Sequence, residues 1–341
     1  MSMQAKKKLP IGVSDFASII SENGYYADKT QLITKILDNI YPRGAILFTR
    51  PRRFGKTLAL DMLRCFFDCN AKEANRSLFN GLAVSKSPQH MEEQGKYPVI
   101  YLTFKNAKYF NWEQAQEGLC YELNELLAPY EYLEHSPVLN DDEKQKLHKL
   151  ISSGVNLTML RSSLIFLSRI LVKHHAQPVV ILIDEYDVPI QAAYQNGYYA
   201  EMIDFMRAFM TTGLKDNPNL RLAVLTGVMR IAKESLFSGL NNLTVDTILS
   251  EDYDDCFGFT QADVEAMLKY YGKSEKLAEL KDWYDGYRFG ERDIYNPWSV
   301  LQYLRKKCRA DAYWLDTSSN DLTISFLRRL EEKERDKVWD L

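Results

Sequence analysis

Short apolar runs alternate with longer segments of helical period along the chain as far as residue 249. The short runs are rich in β-branched and aromatic residues and are predicted to be strands, at residues 45–49, 97–104, 179–183, 220–227 and 244–249. The longer segments are predicted to be helices, at residues 31–39, 56–67, 112–128, 141–151, 164–174 and 198–212. Strands that alternate with helices in this way predict a three-layer α/β domain with a parallel sheet.

The strand pattern fades beyond residue 255. Thr260 is predicted to cap a helix, further helices are expected at residues 277–283 and 297–307, and a turn-rich stretch covers residues 284–290. Aromatic residues between 283 and 298 are expected to form the core of this part. The pattern therefore divides the chain into a domain of residues 1–255 and a mostly helical appendage of residues 256–341.

Composition narrows the class of protein. The 341 residues carry a net charge of −3, so no global basic field indicates nucleic acid. The five cysteines form no C-x-x-C pair, which is typical of free thiols in a reducing cytosol. No apolar run is long enough to span a membrane, and the basic amino terminus lacks the apolar stretch of a signal peptide. A cytoplasmic protein without a membrane partner is expected.

The first predicted strand leads into the second half of a phosphate-binding P-loop. Gly55, Lys56 and Thr57 match the end of G-x-x-x-x-G-K-[ST], whereas Arg50 and Pro51 stand where the first glycine would begin the loop. A strand, a loop and a helix N-terminus in this order direct backbone N–H groups at an anion. Lys56 is expected to reach the β- and γ-phosphates and Thr57 to ligate Mg²⁺. The residues expected to contact the nucleotide are Arg53, Phe54, Gly55, Lys56, Thr57 and Leu58.

Two carboxylates end the predicted buried strand at residues 179–183. Ligands of open α/β sheets bind outside the carboxyl ends of the strands, so Asp184 is expected to hold Mg²⁺ and Glu185 to accept a proton from, or orient, an attacking water. A base beside the metal ligand favours hydrolysis over phosphorylation of a small molecule. The alternative is a buried strand that ends in a solvated acidic turn, which an Asp-Glu pair downstream of Gly-Lys-Thr makes less favourable.

Two further residues are candidates with alternatives left open. Thr226 ends the next predicted strand and either senses the γ-phosphate or simply forms a Thr-Gly turn. Arg230 either stabilises transition-state charge as an arginine finger, in cis or in trans, or is a surface arginine. Arg52 and Arg53 similarly either contact phosphates or form a solvated basic patch.

Several segments together give the chain a family resemblance. They lie at residues 26–30, 50–57, 182–187, 226–242, 283–287 and 295–299. In these segments the chain resembles the predicted AAA-ATPase-like proteins of bacteria and archaea, whose own pattern includes an arginine at the position of Arg50. The resemblance implies a P-loop NTPase of the additional-strand type, with an extra strand between the P-loop strand and the acidic strand. It also implies that Lys56, Thr57, Asp184 and Glu185 bind ATP with Mg²⁺.

The same resemblance carries an expectation about the end of the chain. Members of that family usually continue into a PD-(D/E)XK nuclease-like domain, but no Asp…Glu-x-Lys constellation follows here, so only the ATPase portion and no nuclease activity are expected. The leading hypothesis is a Mg²⁺-dependent ATP-binding protein that hydrolyses ATP slowly as a regulatory switch. The alternatives are a nucleotide-dependent interaction module without turnover, a DNA-associated scaffold and a small-molecule kinase. The sequence does not indicate the oligomeric state or which nucleic acid or protein is the partner.

Overall fold

A parallel sheet of five strands forms the centre of the molecule in a computed structural model that describes residues 6–152, 156–215, 217–231, 236–237 and 240–313. Its strands are β1 (Ala45–Thr49), β2 (Val99–Thr103), β3 (Val179–Asp184), β4 (Leu220–Gly227) and β5 (Leu243–Asp246). Their order across the sheet is β2–β3–β4–β1–β5, and every neighbouring pair is parallel. Strand β4 therefore lies between β1 and β3.

The strands read as continuous apolar runs because helices cover both faces of the sheet. Every residue of β1 and β3 is buried. Successive residues of a strand point to opposite faces, so Ala45 and Leu47 join one hydrophobic cluster while Ile46 and Phe48 join the other. The predicted three-layer α/β arrangement is confirmed, with the bounds of β1 and β4 as predicted and β5 ending earlier, at Asp246.

The helices that cover the sheet begin and end close to the predicted positions, and shorter helices lie in the connections. They are α1 (Phe16–Ser21), α2 (Gln31–Asn39), α3 (Lys56–Phe67), α4 (Lys72–Asn75), α5 (Pro88–Met91), α6 (Trp112–Leu127), α7 (Asp141–Ile151), α8 (Leu157–Arg161), α9 (Ser163–His175), α10 (Val188–Asn196) and α11 (Tyr199–Leu214). Helix α3 packs against β3 and β4 on one face of the sheet. Helices α9 and α11 pack against each other on the opposite face. Short 3₁₀ helices lie at Arg76–Phe79, Ala83–Lys86, Ala128–His135 and Ser274–Lys276.

The part of the appendage that the structure describes, residues 256–313, is called the C-terminal segment below. Its helices are α12 (Gln261–Tyr271), α13 (Leu277–Tyr284) and α14 (Pro297–Arg305), close to the predicted bounds. Thr260 caps α12 as predicted, because its hydroxyl accepts the Asp263 N–H at 3.2 Å while the Asp263 carboxylate accepts the Thr260 N–H at 2.8 Å. Residues 314–341 lie outside the described residues.

The C-terminal segment also contains a small antiparallel sheet that the sequence did not predict. It consists of β6 (Phe259–Thr260), β7 (Tyr287–Phe289) and β8 (Arg292–Tyr295), in the order β6–β8–β7. Strands this short show no alternation, and β7 lies within residues 284–290, which are predicted only as a turn-rich stretch. The turn between β7 and β8 includes Gly290 at φ +50°. Phe289 and Ile294 of this sheet belong to the same hydrophobic cluster as Phe48 of β1.

Candidate functional site

The carboxyl edge of the sheet brings together the residues predicted from three separate motifs. The register pairs Thr49 of β1 with Gly227 of β4, and Thr103 of β2 with Asp184 of β3. The segments that follow these strands consequently lie side by side, as expected where parallel sheets bind ligands.

The loop between β1 and α3, residues 50–55, is called the 50–55 loop below. Two of its residues have left-handed backbone, Arg53 at φ +70° and Gly55 at φ +82°. Gly55 precedes the first residue of α3, and Ala59 N–H closes the first helical turn on the Gly55 carbonyl at 2.9 Å. Glycine adopts this backbone without strain, so the loop can turn directly into the amino terminus of a 12-residue helix. That terminus presents unpaired N–H groups of the kind that bind anions.

Lys56 is buried at the start of α3. Its ammonium group donates hydrogen bonds to the carbonyls of Arg50 and Pro51, each at 2.9 Å, and its side chain is held inside the loop. Burial lowers the pKa of Lys56 to about 8, against the opposing attraction of Asp187, Asp184 and Glu185. The loop therefore contains an amine that three carboxylates attract and whose pKa lies about one unit above neutral pH.

Asp184 is fully buried and is contacted by hydroxyl groups from two directions. Thr57 Oγ1 of α3 donates to Asp184 Oδ2 at 2.7 Å. Thr226 Oγ1 of β4 donates to Asp184 Oδ1. The Thr226 hydroxyl therefore contacts the acidic strand as well as ending β4, and its role toward a γ-phosphate stays a prediction.

Glu185 follows β3 and differs from Asp184 in its surroundings. It is half-buried, and its backbone has a left-handed φ of +53°, which is uncommon for a residue with a side chain. Burial raises the pKa of Glu185, and the neighbouring charges of Asp184 and Asp187 add to that effect, while Lys56 and Lys105 oppose it. Strained backbone and a raised carboxyl pKa are typical of functional positions.

Tyr186 and Asp187 hold the segment that follows β4. Asp187 Oδ2 accepts the N–H groups of Val228 at 3.0 Å and Met229 at 2.9 Å. The Tyr186 hydroxyl donates to the Met229 carbonyl at 2.6 Å. A Cβ atom on Gly227 would lie 2.5 Å from the Tyr186 ring and 2.9 Å from Asp187 Oδ1, so this contact requires glycine. The Asp-Glu-Tyr-Asp order was the available signal, since an acid shortly after a strand end can reach the next strand's loop.

Other predicted site residues lie at the periphery. Arg230 is exposed beyond the end of β4, and residues 232–235 after it lie outside the described residues. Leu58 is half-buried in the first turn of α3. The Phe54 side chain is buried against Tyr287 and Phe289 at ring distances of 4.8 and 5.1 Å, so only its backbone remains for a ligand. Arg53 is exposed and lies over the ring of Trp298. The predicted roles of these residues stay predictions.

Arg50 has a role that the motif did not indicate. Its side chain is fully buried and forms an ion pair with Asp246 at the end of β5. The guanidinium carbon also lies 5.2 Å from the ring centroids of both Phe257 and Phe289. The residue in the position of the first P-loop glycine thus directs its charge away from the loop and into the core.

Metal clusters and cavities would indicate other classes of site. No cluster of three or more His, Cys, Asp or Glu side chains in the described ranges is arranged to hold a metal ion. A cavity of about 520 Å³ lies at the opposite end of β1, between residues such as Tyr41, Arg43 and Asn242, and is remote from Lys56 and Asp184. The chemistry therefore concentrates at the carboxyl edge of the sheet rather than in that cavity.

Within the described part of the chain, no helix combines the length and the apolar character that crossing a bilayer requires.

The fold defines an α/β protein in which the residues predicted to bind a ligand converge at the carboxyl edge of a parallel sheet, around a helix amino terminus. The chain belongs to the predicted AAA-ATPase family, whose family model matches residues 10–237. The resemblance inferred from the sequence is confirmed by this match. Membership supports nucleotide binding at a general level.

A curated relative extends the comparison over most of the chain. The chain is 30% identical over 328 residues to a protein of Azotobacter chroococcum mcd 1 described as "Uncharacterized protein in vnfD 5'region". The match covers 95% of this chain and 56% of the relative. The chain therefore spans little more than half the length of the relative that it matches.

Proposed function

We propose that the protein binds ATP together with Mg²⁺ and hydrolyses the ATP slowly, acting as a regulatory switch. The observation that carries the proposal is the Asp184 carboxylate, which is fully buried and contacts the hydroxyls of Thr57 and Thr226. This contact joins the helix of the Gly-Lys-Thr motif, the acidic strand and the neighbouring strand at one point. Burial of a carboxylate is costly even when it is hydrogen-bonded, and such groups concentrate at functional sites.

The sheet order supports a P-loop NTPase of the additional-strand type. Strand β4 separates β1, which leads into the 50–55 loop, from β3, which carries Asp184 and Glu185. That position is the one that the family resemblance implies for the extra strand. Thr226 lies at the end of this intervening strand, beside the acidic pair.

The donor set fits Mg²⁺, a hard cation that takes few protein oxygens and completes its shell with water and phosphate. Thr57 Oγ1 and Asp184 Oδ2, which lie 2.7 Å apart, would hold the ion directly or through water. When bound, the ion would neutralise charge on the β- and γ-phosphates.

The protein's own groups would perform the remaining tasks. Lys56 would exchange the carbonyls of Arg50 and Pro51 for phosphate oxygens, which form stronger, charge-assisted hydrogen bonds. Glu185 would orient the attacking water and accept its proton, helped by a raised pKa that makes it a better base. Thr226 would fix Asp184. Arg230, exposed after β4, would supply positive charge in cis or to a neighbouring molecule.

The titration of Lys56 predicts how ATP affinity depends on pH. Its pKa of about 8 means that the amine is protonated below this value and increasingly neutral above it. A bound triphosphate stabilises the protonated form, so binding takes up a proton once the pH exceeds about 8, and the affinity for ATP should fall by up to about tenfold per pH unit.

Calorimetry in buffers of different ionisation enthalpy measures that proton uptake. Lys56→Arg, which remains charged, should bind with a flat profile from pH 7.5 to 9.5; an identical slope in both proteins would contradict the assignment.

The first test is direct ATP binding and phosphate release, each with Mg²⁺, for the wild type and Lys56→Ala. Removal of the amine is expected to weaken binding and to lower phosphate release by about 10²-fold or more. The matched control is Lys108→Ala, an exposed lysine after β2. Normal turnover in Lys56→Ala would refute the proposal. Binding without phosphate release in the wild type would instead identify a nucleotide-dependent interaction module, and release that requires an added acceptor would identify a kinase.

A further inference from the structure

Three side chains of the 50–55 loop are held by the carboxyl-terminal part of the chain. Arg50 is paired with Asp246 and lies against Phe257 and Phe289. Phe54 packs against the β7 rings of Tyr287 and Phe289, and its carbonyl accepts the Gly258 N–H at 3.1 Å. The third contact, between Arg53 and Trp298, has a different character.

The contacts of Arg50 and Phe54 belong to the core, because both side chains are buried, at 0% and 1% exposure. Arg53 is exposed, and its guanidinium carbon lies 4.7 Å from the centroid of the half-buried Trp298 ring. An exposed cation–π contact is weak, and charge-assisted hydrogen bonds to phosphate are stronger. Of the three contacts, the one between Arg53 and Trp298 is therefore the one that a bound anion can replace.

We propose that Trp298 and the phosphates of a bound nucleotide compete for the Arg53 side chain, so that nucleotide binding releases Trp298 and is transmitted to the C-terminal segment. The inference rests on the proposed function and adds to it the element that the switch controls. Arg53 is suited to this exchange because it belongs to the loop that the Lys56 amine contacts and its side chain is exposed. Binding free energy is then shared between the loop and the segment.

The position of Trp298 allows the loss of its Arg53 contact to affect the C-terminal segment. It lies in the first turn of α14, next to the cap in which the Asn296 side chain accepts the Ser299 N–H at 3.3 Å. Its indole N–H donates to the Tyr313 carbonyl at 3.2 Å. Release of the ring therefore loosens two attachments of the segment, the start of α14 and the chain at Tyr313, while the buried contacts of Arg50 and Phe54 keep the segment docked.

The competition predicts an unusual sign in a binding experiment with the full chain. Trp298→Leu removes the competitor and should raise ATP affinity roughly two- to fivefold. Arg53→Met removes the group competed for and should lower the affinity. In the Arg53→Met background, Trp298→Leu should have no further effect, because the two substitutions act through one contact. Trp298→Phe retains a ring over Arg53 and should lie between the wild type and Trp298→Leu.

Tryptophan fluorescence gives a second readout that requires no substitution in the 50–55 loop. ATP should change the fluorescence of the wild type, the change should disappear in Trp298→Phe, and adenosine, which carries no phosphate, should not produce it. If the wild type binds ATP but Trp298→Leu binds equally or more weakly, or if Trp298 fluorescence does not respond, the inference is overturned while the proposed function stands. If the wild type does not bind ATP at all, the proposed function fails and the inference fails with it.

Discussion

Glu185→Gln is expected to lower the rate of ATP hydrolysis by a factor of about 10²–10⁴, the range that general bases contribute, while ATP binding stays within about twofold of the wild type. Glutamine has nearly the same shape as glutamate and can still accept a hydrogen bond, but it cannot take a proton. The Asp184 contacts with Thr57 and Thr226 do not involve Glu185, so the groups proposed for Mg²⁺ and phosphate remain in place. Turnover should therefore be lost without loss of binding.

The measurement pairs a phosphate-release assay with equilibrium binding of ATP in the presence of Mg²⁺. Glu117→Gln, on the exposed face of α6, removes a carboxylate far from the site and should match the wild type in both assays. A Glu185→Gln variant that hydrolyses ATP at the wild-type rate would exclude Glu185 as the base. Loss of binding together with turnover would show that Glu185 supports the fold of the site rather than the chemical step.

Arg50→Met is expected to lower the free energy of unfolding by about 3–5 kcal/mol, the cost of breaking a buried ion pair from one side. The substitution leaves the Asp246 carboxylate buried, at 3% exposure, without its partner. It also removes the cation that lies between the rings of Phe257 and Phe289. The large effect follows because an uncompensated buried charge cannot be solvated in place.

A double variant separates charge from packing. Arg50→Met combined with Asp246→Leu removes both charges and replaces them with apolar groups, and it should recover most of the stability that the single variant loses. Urea unfolding followed by circular dichroism compares the three proteins with Arg43→Met, a variant of an exposed arginine before β1 that should unfold like the wild type. Equal stability of Arg50→Met and the wild type would show that the pair contributes nothing.

The parts of the fold that could be predicted are those with local causes. Strands β1 and β4 were found within their observed bounds because continuous apolar runs are long enough to distinguish, and Thr260 was recognised as a cap because capping is decided within one turn. The position of β4 between β1 and β3 has no local cause. Strand order depends on contacts between distant parts of the chain, so only the family resemblance implied it.

The site shows the same division. Gly55, Lys56 and Thr57 could be predicted as a phosphate and Mg²⁺ site because the glycine, the lysine and the hydroxyl follow one another in a fixed order in such loops. Whether Thr226 contacts Asp184 could not be decided from a Thr-Gly pair, since the answer depends on the register of two strands. The partners of Arg50 are Asp246, Phe257 and Phe289. They are distant in sequence, so no pattern close to residue 50 predicts them.

The attachment of Arg50 and Phe54 to β7 also has a consequence for how the molecule assembles. The rings of Phe54 and Phe289 lie 5.1 Å apart, although most of the described chain separates them in sequence. Closing such a long loop is slow compared with forming a helix or a neighbouring strand pair. During synthesis the ribosome therefore releases β1, α3 and the acidic strand well before the residues that complete their surroundings. We expect the 50–55 loop to acquire its final shape among the last steps of folding, after the strands and helices on either side of it have formed.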